Sequence, residues 1–186
     1  VRGDVVGFGS RIIAGEGAKY VNTPETVTYS KRRVLYGMNL AKKTKRPNII
    51  LCEGNIASFP WKDRFEKMAR QLLFEEGTEK NVNIVLCSDE FVREMNKNYR
   101  GLDKVTDVLS YEWHEEDFLG EIYIARDQVK RQAPEYGNTF FAEMKRVIVH
   151  GLLHLSGYDH IKACDRKVMR ARECEFLGLD PYKEKM

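Results

Sequence analysis

A chain of 186 residues with 42% hydrophobic and 11% aromatic side chains can bury one medium core, which excludes global disorder. No apolar run reaches the length of a bilayer span and the first residues lack a signal-peptide core, so we expect no membrane association and a cytoplasmic location. The net charge of +3 conceals a split: residues 1–48 carry ten Lys or Arg against three acids, and residues 49–186 carry twenty-one against twenty-five. Such a split suggests two pieces of different origin, and any nucleic-acid binding by the second must rest on a local patch.

In chain order, "VVGFGSRIIAG" reads as a strand, a tight turn and a second strand, and "SKRRVLYGMNLAKK" as a short helix capped by Ser30. No closed hydrophobic pattern lets residues 1–48 fold alone, and we expect them to pack poorly. "NIILCEG" is a short apolar strand. "WKDRFEKMARQLLFEEG" sets Trp61, Phe65, Met68, Leu72 and Leu73 at helical spacing and stops at Gly77. "NVNIVLCS" is a β-branched strand, and Ser88 or Asp89 then caps a helix through "EFVREMNKNYR". "TDVLSYEW" and "GEIYIA" are strands separated by the acidic loop "HEEDFL". "DQVKRQAPEYG" is a short helix with Pro134 near its end. "TFFAEMKRVIVHGLLHLSG" is the longest helix, capped by Thr139 and stopped at Gly157; a final helix spans roughly 162–178. The order predicts an α+β fold, a mixed, roughly four-stranded sheet packed with helices. The cysteines Cys52, Cys87, Cys164 and Cys174 form no CxxC pair and fit small buried hydrophobes in a reducing compartment.

Three of the four histidines fall within eleven residues, in "HGLLHLSGYDH". On a helix His150 and His154 share one face a turn apart, and Gly157 permits the reversal that returns His160. Three neutral imidazoles leave one coordination position for water, the arrangement of catalytic rather than structural zinc, although nickel, copper and iron also accept such donors. A packed, hydrogen-bonded histidine is the usual fate of one such residue on an apolar helix; three at this spacing with an intervening glycine point to a metal. The spacing matches the metzincin pattern H-E-x-x-H-x-x-G-x-x-H. Gly151 replaces its general-base glutamate, so the proton acceptor of a zinc protease is missing.

A second constellation lies in "MNKNYRGLDKVTDVLSYEW", with Asn96, Tyr99, Arg100, Asp103, Thr106, Asp107 and Ser110. Alone it reads as a helix end, a turn and an edge strand. Combined with "GEIYIA", "HGLLHLSGYDH" and the tail "MRARECEFLGLDPY", it resembles the YbeY family of bacterial metal-dependent endoribonucleases, which act in ribosomal RNA maturation. Tyr111 and Glu112 depart from the Phe-Pro usual there. The resemblance covers residues 49–186 and implies one Zn²⁺ on His150, His154 and His160, at the end of the long helix. It implies Arg100 facing the cleft, with catalytic roles for these four residues, single-stranded ribosomal RNA as substrate and the small ribosomal subunit as partner. No DNA partner is expected. A guanidinium suits a phosphate through two parallel hydrogen bonds, and charge developing on a phosphoryl oxygen is stabilised by a nearby cation. Asp159 and Asp107 are candidates to orient ligand histidines, with capping or turn roles as the alternative.

Residues 1–48 resemble instead a fragment of the bacterial DNA primase catalytic core. "IILCEG" resembles the first strand of its toprim fold, with Glu53 at the acidic position, and serves equally well as the first strand of the YbeY-like domain. "NIA" follows where tyrosine-methionine-aspartate is needed, and no D-x-D comes later, so primer synthesis is not expected. The join falls within 46–55. Two other functions compete with an endoribonuclease: a zinc hydrolase acting on peptides or amides, and a non-catalytic RNA- or ribosome-binding factor.

Overall fold

Val82, Ile84 and Leu86 alternate with Asn83, Val85 and Cys87 along one strand, and burial of both sets makes it the centre of a sheet covered on two faces. The computed structural model describes residues 59–113 and 116–180, together with the backbone of short strands at 9–11, 20–22 and 48–51. Strand β1 (Gly9–Arg11) pairs antiparallel with β2 (Tyr20–Asn22). The strand, tight turn and second strand expected within residues 5–15 lie largely outside the described residues; β1 occupies the middle of that stretch, and its partner lies beyond it. The helix read around Ser30, together with Glu53 and His114, lies outside the described residues, as does the packing expected of 1–48.

The main sheet joins β3 (Asn48–Leu51), β4 (Asn81–Cys87), β5 (Val108–Glu112) and β6 (Phe118–Ala125) in the order β3-β4-β6-β5. β3 and β6 run parallel to β4, and β5 returns antiparallel to β6, so the sheet is mixed. Around it lie α1 (Lys62–Glu75), α2 (Asp89–Arg100), α3 (Arg126–Gln132), α4 (Phe140–Leu155) and α5 (Ala163–Leu177). The expected α+β class is therefore found. Ser88 accepts from the Phe91 N–H at 3.3 Å and Thr139 from Ala142 at 3.2 Å, each satisfying an amide that the first turn leaves without a carbonyl. After α3 the chain tightens into a 3₁₀ turn at Ala133–Tyr136, where Pro134 has no N–H to continue an α-helix.

One face of the sheet, with Val82, Ile84, Leu86, Ile122 and Ile124, packs against α1 and α4. The other, with Val85, Leu109 and Tyr123, packs against Val92 of α2. α4 buries Met144, Val147, Ile148, Leu152 and Leu153 in the first core, which fixes the rotation of the helix. His150 and His154 are then turned to its partly open side. Among the described residues no helix is long and apolar enough to cross a membrane.

Candidate metal centre

α4 ends at Leu155, and the Gly157 backbone takes φ +95°, a left-handed conformation that a side chain would strain. The turn is closed by Gly157 N donating to His154 O at 3.1 Å and Tyr158 N to Leu153 O at 3.0 Å. Three residues on, Asp159 Oδ1 accepts from the His160 N–H at 2.7 Å, so this carboxylate serves the turn. The reversal brings His160 back beside α4. Ring centroids lie 4.7 Å apart for His150 and His154, 4.7 Å for His154 and His160, and 5.3 Å for His150 and His160.

Which nitrogens face inward follows from their outer partners. Glu173 Oε1, on α5, lies 2.6 Å from His150 Nδ1, and the Tyr158 carbonyl lies 3.0 Å from His154 Nδ1. A carbonyl only accepts, so His154 carries its proton on Nδ1, and the carboxylate draws the same tautomer from His150. The two Nε2 lone pairs are left directed at the centre, 3.2 Å apart. Tetrahedral zinc bonds of about 2.0–2.1 Å would set two such nitrogens about 3.3 Å apart. One ligand atom from each of the three histidines lies within 4.8 Å of the other two, so the donor set fits a metal ion. Burial, then the neighbouring His150 and His160, pushes the His154 pKa down to about 3, which keeps this imidazole neutral as a ligand must be. His160 is exposed, so the cluster opens to solvent on its side.

Glu173 was missed by the sequence reading. It is buried on α5 one turn beyond Met169, and an acid on the apolar face of a helix was the signal available. It also feels the charge of Arg146, one turn before His150 on α4. Arg146 donates to Glu143 through Nε at 3.0 Å, and Glu143 takes further hydrogen bonds from Gln132 at 2.9 Å and Asn138 at 2.8 Å. Asp107 joins this network, accepting from Gln132 at 3.0 Å with Arg146 at 3.8 Å, and receives the Val108 N–H. Its described partners are thus network and turn groups, the alternative to orienting a histidine.

The other motif residues order the loop behind Arg100. Arg93 and Lys97 hold Asp103 at 2.7 and 2.9 Å, and Asn96 donates to the Lys104 carbonyl at 2.8 Å. The Tyr99 ring packs on Tyr111 at 5.1 Å. Ser110 donates to the Gly151 carbonyl at 3.3 Å, joining β5 to the histidine helix. Arg100 itself stands exposed in the last turn of α2 and forms no ion pair among the described residues. The structure gathers the three histidines but shows no contact between them and Arg100.

Gly151 has a steric reason as well as a chemical consequence. A Cβ there would meet Ile122 Cγ2 at 2.8 Å and Ser110 Oγ at 3.2 Å, because α4 presses onto β5 and β6. A glutamate at this position would point into the sheet, away from a metal.

The α+β sheet, the long helix and the convergent imidazoles define a protein with a candidate metal centre of open coordination. The sequence profile of endoribonuclease YbeY matches residues 52–179, and the chain belongs to that family. A relative named endoribonuclease YbeY from Desulforamulus reducens is 40% identical over 130 residues, covering 62% of this chain and 85% of the relative. One of the same name from Aquifex aeolicus is 41% identical over 119 residues, 61% of this chain and 79% of its own length. The solution structure of TM1509 from Thermotoga maritima superposes with a TM-score of 0.54 at 33% identity, covering 70% of this chain and 86% of that one. Residues 1–42 match a different profile, the N-terminal domain of the DNA primase catalytic core.

Proposed function

We propose that this chain is a zinc-dependent, single-strand-specific endoribonuclease acting in ribosomal RNA processing and ribosome quality control. The observation that carries the reading is the convergence of the His150 and His154 Nε2 atoms at 3.2 Å with both Nδ1 atoms already engaged, within a chain of this family. His150, His154 and His160 would hold the ion at the end of α4. When bound, zinc supplies a Lewis acid for a phosphoryl oxygen or for water. Arg100 takes the scissile phosphate through its unpaired guanidinium, and the pinned loop 101–107 limits how far that group wanders. Glu173 and the Tyr158 carbonyl hold the imidazole tautomers. The catalytic unit is residues 49–186, with 1–48 a primase-like extension, and the substrate places the chain in the cytoplasm beside the small ribosomal subunit.

Gly151 weighs against a zinc peptidase, since neither its lack of a carboxylate nor the space around it allows a general base there. The test incubates zinc-loaded protein with unstructured RNA and with casein, with and without a chelator. RNA cleavage that disappears with the chelator and in His154→Ala supports the proposal. Casein cleavage, or RNA binding without cleavage, replaces it by the peptidase or the binding factor. Arg100→Glu should abolish RNA cleavage while leaving zinc near one equivalent per chain; cleavage that survives removes Arg100 from the mechanism.

A further inference from the structure

The start of α5 and the residue before it carry a concentration of positive charge beside the histidine cluster. Lys162, Arg166, Lys167 and Arg170 face a single acid, Asp165, within nine residues. Arg166 and Arg170, four residues apart, share one side of the helix, with Lys167 next to them and Lys162 at the extended residue that precedes the first turn. Several cations elsewhere in the described structure are neutralised: Arg93 and Lys97 by Asp103, Arg131 by Asp89, Arg146 by Glu143, and Arg172 by Glu75, Glu76 and Glu175. Lys162, Arg166 and Lys167 are exposed and form no ion pair among the described residues.

This row also has a fixed place relative to the metal centre. Arg166 donates through Nε to the His160 carbonyl at 3.2 Å, and no described hydrogen bond uses its two terminal nitrogens. Seven residues on, Glu173 holds His150 from the same helix, and 166, 170 and 173 share one face. α5 therefore flanks the histidine cluster, and its basic first half begins where the exposed His160 opens it to solvent. A guanidinium anchored through Nε retains a pair of donors suited to a phosphate. A charged row of this kind suits a repeating polyanion better than a compact ligand.

We infer that the N-terminal half of α5 is the track for the RNA backbone adjoining the metal centre, with Arg166 and Lys162 taking phosphates next to the scissile one and Lys167 flanking them. The inference rests on the endoribonuclease reading. These residues bind rather than catalyse: they hold strand already outside the reacting position. An acidic protein surface is the competing occupant.

The test measures binding of a fluorescent single-stranded 2′-O-methyl RNA to the zinc-loaded full chain across salt concentrations, with cleavage of ordinary RNA in parallel. Lys162→Gln/Lys167→Gln touches no described hydrogen bond, and Arg166→Gln adds the anchored group. Each lost phosphate contact lowers the slope of log K against log salt by about 0.7 for a single strand. The lysine pair should therefore lose about 1.4, with KM raised and kcat within about twofold. An unchanged slope and KM in the lysine pair, with wild type binding normally, overturns the track and assigns the face to another occupant. Arg166→Gln should deepen the loss at full zinc content; if it sheds zinc, the lysine pair alone decides. Wild-type protein that neither binds nor cuts RNA overturns the endoribonuclease reading itself.

Discussion

His150, His154 and His160 could be read directly because their spacing carries geometry: four residues is one helical turn, and a glycine seven residues after the first marks where the helix breaks. Glu173 could not be read that way. It lies twenty-three residues from His150, and in "MRARECEF" it is one charge among several until α5 is docked on α4. Its consequence can be measured. A carboxylate on Nδ1 strengthens an imidazole as a ligand, and loss of such a partner costs on the order of 10- to 100-fold in metal affinity. Glu173→Gln keeps the volume and an acceptor but removes the charge, so zinc affinity, read by competition with a chromophoric chelator, should fall by about that factor with the far-ultraviolet spectrum unchanged. Equal affinity in the two proteins would reduce Glu173 to a packing residue. Gly151 shows the opposite limit: its missing carboxylate was visible in the sequence, but the pressure of Ile122 against that position was not.

Elements were legible wherever local chemistry decides them. Caps at Ser88 and Thr139 and the helical spacing of α1 need only neighbours along the chain, and each was recovered. Strand order depends on distant partners, so the parallel pairing of β4 with β6 gave no sequence signal. That pairing creates a buried polar row across the sheet: Asn83 opposite Glu121, and Glu121 opposite Tyr111. Glu121 is 1% exposed and accepts from Asn83 at 3.0 Å and from the Tyr123 hydroxyl at 2.6 Å. Burial outweighs these two hydrogen bonds and pushes its pKa up to about 7 from an ordinary 4.5. The folded chain therefore holds a proton that the unfolded chain releases. The resulting stability is complete below about pH 4.5 and is lost as pH rises through about 7. The unfolding free energy from urea titrations should fall between pH 5 and 8 by an amount on the order of 1–3 kcal/mol, and Glu121→Gln should flatten that fall. A wild-type slope retained in Glu121→Gln would place the titrating group elsewhere.

The whole molecule raises the question of where the functional unit begins, because charge balance and the two profile matches both divide the chain near residue 48. Strand pairing sharpens the answer. β3 lies on the division and pairs with β4 in parallel from Asn48↔Asn83 to Leu51↔Leu86. β4 is buried on both faces, as a central strand is, with Val82, Ile84 and Val85 wholly enclosed. Without β3 it becomes an edge whose unpaired N–H and C=O groups invite pairing with another chain. Arg172 joins the end of α1 to α5, at 2.8 Å to Glu75 and 2.7 Å to Glu76, so this brace on α5 is made wholly by residues after 48. A chain starting at residue 46 should therefore fold cooperatively, bind one zinc and cut RNA at a rate close to that of the full chain. One starting at residue 56 should aggregate or melt well below it, since an apolar strand edge is exposed. Calorimetry and zinc content of the two truncations decide the matter. Loss of folding in the longer one would make residues 1–45 an integral part of the domain, and full stability in the shorter one would show that β3 contributes nothing to the edge it covers.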